Sequence, residues 1–99
     1  MLFFIKARVE LKELSMDELW DKWDEELTAA DAAQDAGKLV SAYKVSGMRC
    51  ILAILDVESH DELDKILSTL PMAKYVEFEE ILPIRPREDF AIDVRNRWQ

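Results

Sequence analysis

Residues 38–57 read KLVSAYKVSGMRCILAILDV, and the two halves of this stretch carry different patterns. The first half, through Tyr43, reads as a strand, and Ser46 and Gly47 supply a turn. The second half is a nearly continuous apolar run from Cys50 to Leu55, the pattern of a strand buried on both faces and therefore central in a sheet. Two strands joined this tightly are antiparallel neighbours.

Upstream, Gly37 marks the end of a helix that Ser15 starts. Glu18 completes an S-x-x-E capping box there, and Met16, Leu19, Trp20, Trp23, Leu27 and Ala30 recur at helical spacing to about Ala36. Before it, MLFFIKARVEL alternates Phe3, Ile5, Ala7, Val9 and Leu11 with Phe4, Lys6, Arg8 and Glu10, which is a strand with one wholly apolar face. Downstream, Ser59 and Glu62 form a second box ahead of a helix with Leu63, Ile66, Leu67 and Leu70 on its buried stripe, stopped by Pro71. AKYVEFEEILPI makes the last strand, with Val76, Phe78 and Leu82 expected on one side. The order is βαββαβ. It predicts an α+β, ferredoxin-like sandwich over residues 1–84, with both helices on one face of a four-stranded antiparallel sheet.

The other sheet face has no helix over it, and a second copy is its simplest cover. Two such faces meeting would form a dimeric α+β barrel, and the hollow between them is where a small-molecule ligand is expected, facing a carboxylate from the first helix. The tail, residues 85–99, holds Phe90, Ile92, Val94 and Trp98, too apolar for a free end. It is read as an arm packing on its own or a neighbouring subunit.

Ninety-nine residues with 49% hydrophobic and 34% charged content make one folded domain. A net charge of -8 excludes a nucleic acid partner, which needs clustered cations. Four of the six arginines, Arg85, Arg87, Arg95 and Arg97, fall in the tail. No apolar run is long enough to span a bilayer, and the start lacks an export signal, so no membrane association and a cytoplasmic location are expected. One cysteine and one histidine hold neither a disulfide framework nor a metal centre, and Cys50 reads as a small core residue.

The acidic segment KWDEEL, residues 22–27, raises the question of an inward carboxylate. At about 100° per residue, a stripe centred on Trp23 leaves Glu26 on its flank and turns Glu25 nearly opposite. Beside Trp20 and Trp23, desolvation would raise the pKa of Glu26 toward the range useful for proton transfer. The plainer alternative is that Glu26 pairs with Lys22 or a sheet lysine.

MLFFIK, SGMRCILAILDVESHDELDKIL and TLPMAKYVEFEEILPIRP together resemble muconolactone isomerases and the related chloromuconolactone dehalogenases of aromatic catabolism, over residues 1 to about 86. The resemblance implies sheet-to-sheet dimers, often in a larger homo-oligomer. It also implies a proton shift or halide loss on an unsaturated lactone without metal or organic cofactor. A gapless count back from Gly37 places the family's helix-one glutamate on Glu26. The sequence departs from the family at Met48 and Arg85, which stand where it has histidine, at Ile51, which stands where it has asparagine, and at Phe4, where histidine can occur. The exchange of polar for apolar groups points to a larger, more apolar substrate. In this reading Glu26 and Tyr43 are catalytic, the latter as hydrogen-bond donor to a carbonyl. Phe4, Lys6, Arg8, Trp23, Lys44, Met48 and Ile51 contact substrate, with Lys6, Arg8 and Lys44 as partners for a carboxylate. A tailoring cyclase of secondary metabolism acting by substrate shaping, and a non-catalytic binding or assembly protein on the same scaffold, are the alternatives.

Overall fold

The computed structural model describes residues 1–99. In chain order it contains β1 (Leu2–Val9), α1 (Met16–Asp35), β2 (Leu39–Lys44), β3 (Cys50–Asp56), α2 (His60–Thr69), a 3-10 turn (Ala73–Tyr75), β4 (Val76–Ile84) and α3 (Arg87–Asn96). The four strands form one antiparallel sheet in the order β2-β3-β1-β4. This is the ferredoxin-like arrangement, with the apolar run of β3 and the alternating β1 at the centre.

Local chemistry sets the boundaries. Ser15 accepts from the Glu18 backbone N–H at 3.1 Å while Glu18 accepts from the Ser15 N–H at 3.0 Å, so both arms of the first box are made. Ser59 accepts from the Glu62 N–H at 3.1 Å, but the reciprocal arm of the second box is absent: the Glu62 carboxylate takes Lys38 at 2.8 Å and the Glu58 N–H instead. Gly37 and Gly47 both have positive φ, at 75° and 81°, which the α1 exit and the β2–β3 turn require and side-chain-bearing residues adopt reluctantly.

Phe3, Ile5, Ala7 and Val9 of β1 are buried toward the helices. Phe3 and Ile5 pack with Leu55, Val57, Leu63 and Leu67, whereas Val9 joins Leu19 and Met72 in a second cluster. Cys50 is buried and free. The even residues of β1, Phe4, Lys6 and Arg8, therefore lie on the opposite, uncovered face.

Two expectations change. The β1–β4 register shifts between Lys6 and Ala7, so Val76 and Phe78 pair with Val9 and Ala7 on the covered face while Leu82 pairs with Phe4 on the bare face. A bulge reverses the alternation, and Leu82 does not share a side with Val76 and Phe78. The tail contains a helix, α3, that buries no residue. It is held to the end of β4 by Arg85, which pairs with Asp93 at 2.8 Å and lies over the rings of Phe90 and Trp98. No helix is long and apolar enough to cross a membrane.

Candidate functional site

Alanines prepare a void beneath α1. Ala30 and Ala33 follow Glu26 at four and seven residues, hence on the same helix face, and opposite them on the sheet stand Ala42, Ala53 and Ala7. Side chains this short leave a cavity of about 160 Å³ between helices and sheet, flanked by the two core clusters. Leu27, 59% exposed, and the exposed Ala42 border it and mark its mouth. Glu26 is its one polar residue.

The Glu26 side chain is half-buried, and its Oε2 accepts a 3.1 Å hydrogen bond from the backbone N–H of Met72. Met72 follows Pro71, whose ring turns the chain out of α2; Leu70 before it has extended backbone. The N–H so presented is deep in the protein, Met72 being almost fully buried, and needs an acceptor. Desolvation pushes the Glu26 carboxyl above the usual carboxylate range, and the Met72 hydrogen bond opposes this with a smaller effect. Oε1 has no protein partner. Lys22 pairs with Glu25 at 3.5 Å, so it does not neutralise Glu26.

Trp23 and Ile51 line the same cavity as Glu26. Trp20 does not: it is 64% exposed on the outer side of α1. Phe4, Lys6, Arg8 and Tyr43 are not brought to Glu26 either. Tyr43 pairs in register with Leu52 and, like the even β1 residues, occupies the bare face, where it is 66% exposed. Lys6 approaches Glu79 at 3.9 Å, and Arg8 pairs with Glu79 at 3.3 Å and Glu10 at 3.2 Å. Lys44 ends β2 with its ammonium donating to the Val45 carbonyl at 2.9 Å. Met48 is exposed in the β2–β3 turn region, bordering a shallow groove with Arg8, Glu10 and Arg49.

The hollow that Glu26 faces is thus within one protomer, beneath the helices, and not on the bare sheet face where the carboxylate was expected to project. A helix residue that turns inward meets the face its own helix covers, and a sheet one chain thick separates it from everything on the other side. The Met72 N–H and the alanine walls were not anticipated; the alanines four and seven residues after Glu26, at positions 30 and 33, were the available signal.

The sequence model of the muconolactone delta-isomerase family matches residues 1–89. The chain belongs to this family. Among solved structures, a crystal structure of muconolactone isomerase superposes with a TM-score of 0.77 at 23% identity, covering 87% of this chain and 90% of that one. A 5-chloro-2-hydroxyhydroquinone dehydrochlorinase from Burkholderia phenoliruptrix AC1100, in complex with 2,5-dihydroxybenzoquinone, superposes with a TM-score of 0.64 at 20% identity, covering 87% and 93%. At these identities the likenesses establish the shared fold. A comparison with curated proteins gives no match.

Proposed function

We propose that this family member is a cofactor-free isomerase of an unsaturated cyclic carbonyl compound or lactone, with Glu26 as the proton carrier. The observation that carries the reading is a carboxylate standing alone in an apolar cavity, one oxygen fixed by the Met72 N–H and the other free. Ionised Glu26 removes a proton from a ring carbon in conjugation with the carbonyl, the C–H electrons pass into the carbonyl system, and the resulting carboxylic acid returns the proton to another carbon of that system. The total charge in the cavity stays constant, because it moves from carboxylate to enolate oxygen. Desolvation strengthens the base for the first step. Membership of the muconolactone delta-isomerase family supports the same reaction class. Trp23 and Ile51 belong to the substrate wall in this proposal; Lys6, Arg8, Phe4, Tyr43, Lys44 and Met48 stand outside it.

The test is Glu26→Gln, which keeps an oxygen for the Met72 N–H while removing the base. Isomerisation of a monocyclic unsaturated lactone in deuterated water, followed by NMR, is expected to slow by roughly 10²–10⁴-fold, with deuterium no longer entering the ring. The wholly apolar remainder of the wall favours a second reading, a cyclase that works by shaping its substrate. A loss of less than about tenfold selects that reading, and binding without turnover in the parent chain selects a non-catalytic binding protein.

A further inference from the structure

The cavity contains a negative charge and no positive one. No lysine or arginine lines it: Lys22 pairs with Glu25, Lys38 with Glu62, Lys6 and Arg8 with Glu79 and Glu10 on the bare face, and Lys44, which pairs in register with Ile51 on the covered face, turns its exposed ammonium onto the Val45 carbonyl at the end of β2. The one inward-facing backbone donor that Glu26 meets, the Met72 N–H, is already taken by it. A substrate carboxylate entering here would be desolvated, unpaired and next to an ionised Glu26, three penalties with nothing opposing them. The volume of about 160 Å³ is close to that of an apolar protein cavity, roughly 150 Å³, that accommodates benzene.

We infer that the Glu26 cavity takes a neutral, single-ring conjugated carbonyl compound and rejects ring compounds that carry a carboxylate. The inference rests on the reading of this cavity as the substrate site. It follows from the wall chemistry: in this inference ring faces meet Trp23, Ile51 and Phe78, the ring edge that carries the acidic C–H meets Glu26, and any substituent leaves past Leu27 and Ala42.

Benzamide and benzoate have one shape but differ in charge and in the amide N–H donors, so the full-length chain is titrated calorimetrically at pH 8 with each and with acetophenone, which is neutral, has no donor and is expected to exceed benzoate in affinity as benzamide does. Benzamide is expected to bind, and benzoate to bind on the order of 100-fold more weakly, the repulsion of two charges about 5 Å apart in a partly desolvated site. In Glu26→Gln the gap narrows at least tenfold. Ala42→Leu, at an exposed edge-strand position where folding is undisturbed, lowers benzamide affinity at least tenfold by narrowing the mouth. Benzoate binding as tightly as benzamide overturns the inference, as does benzamide affinity that is undetectable or indifferent to Ala42→Leu. Benzoate binding alongside a Glu26-dependent isomerisation defeats the charge selectivity and leaves proton transfer intact. Charge discrimination with full turnover by Glu26→Gln does the reverse.

Discussion

Glu26 is held in a position that disfavours its own charge, and this makes stability and, in the proposed mechanism, activity depend on pH. Its folded pKa is raised, so between the unfolded value of about 4.5 and the folded value the native state binds more protons than the unfolded one. Stability therefore falls as pH rises through that window and levels off above it. Glu26→Gln, which cannot ionise, is expected to match the parent near pH 4 and to exceed it in chemical denaturation at pH 8; equal stabilities at pH 8 would contradict the desolvated position. In the proposed mechanism the base form is the active one, so kcat/KM should rise with pH to a midpoint above 4.5, and a midpoint at or below 4.5 would remove Glu26 from the proton-transfer step. The helical phase around Trp23 and Leu27 is sufficient to turn Glu26 inward from sequence. Strand alternation likewise places Lys6 with Arg8. What neither pattern states is that these two inward directions lie on opposite sides of one sheet, because phase within an element is local whereas the side on which a helix packs is a property of the assembled fold.

The elements that carry the cavity were legible where a local signal coincides with burial. Ser15–Glu18, Gly37 and Pro71 each mark a helix end that falls within two residues of them, and Gly47, by its positive φ, makes the turn that stands three residues from the end of β2 and from the start of β3. The β4 bulge was not legible, since VEFEEIL alternates well enough to suggest an unbroken strand. The extra residue lies in the Glu79–Glu80 stretch, and the carboxylate of Glu79 meets Lys6 and Arg8. Helix α3 was hidden for another reason. Phe90, Ile92 and Val94 recur every second residue, a strand spacing, and Pro86 at the N-cap offers no side-chain acceptor; its helical cues are Glu88 and Asp89 in the first turn and Arg95 in the last. The capping box of α1 gives the prediction at this scale. Ser15→Ala leaves the Glu18 N–H without its acceptor and is expected to cost about 1 kcal/mol. In a domain of this size that is roughly 4–8 °C in Tm, measurable by circular dichroism. An unchanged Tm would mean that the first turn of α1 is held by packing around Leu19 instead.

At the scale of the molecule, a protomer 56 × 27 × 20 Å in extent leaves much apolar surface uncovered. On the bare face Tyr43, Leu82 and Ile84 are exposed around the Lys6–Arg8–Glu79–Glu10 ion pairs, and beyond β4 the tail exposes Phe90, Ile92, Val94 and Trp98. With 99 residues and 12 buried, the chain has a small core, and covering the bare face with a second copy would add to it. We therefore propose that residues 1–84 form the folding unit and pair sheet to sheet, and that residues 85–99 act as an arm between subunits. Sedimentation equilibrium should then give a mass at least twice 11.5 kDa. Leu82→Glu places a carboxylate among Glu77, Glu79 and Glu80 on the paired face and is expected to return the protein to the protomer mass with its circular dichroism spectrum intact. Truncation after Ile84 separates the two surfaces, since α3 contributes nothing to the core: the truncated chain should stay folded and keep the sheet-paired dimer while losing any larger assembly. A parent chain that sediments as a monomer at micromolar concentration would remove the pairing and leave the Glu26 cavity, which is complete within one protomer, as the molecule's working part.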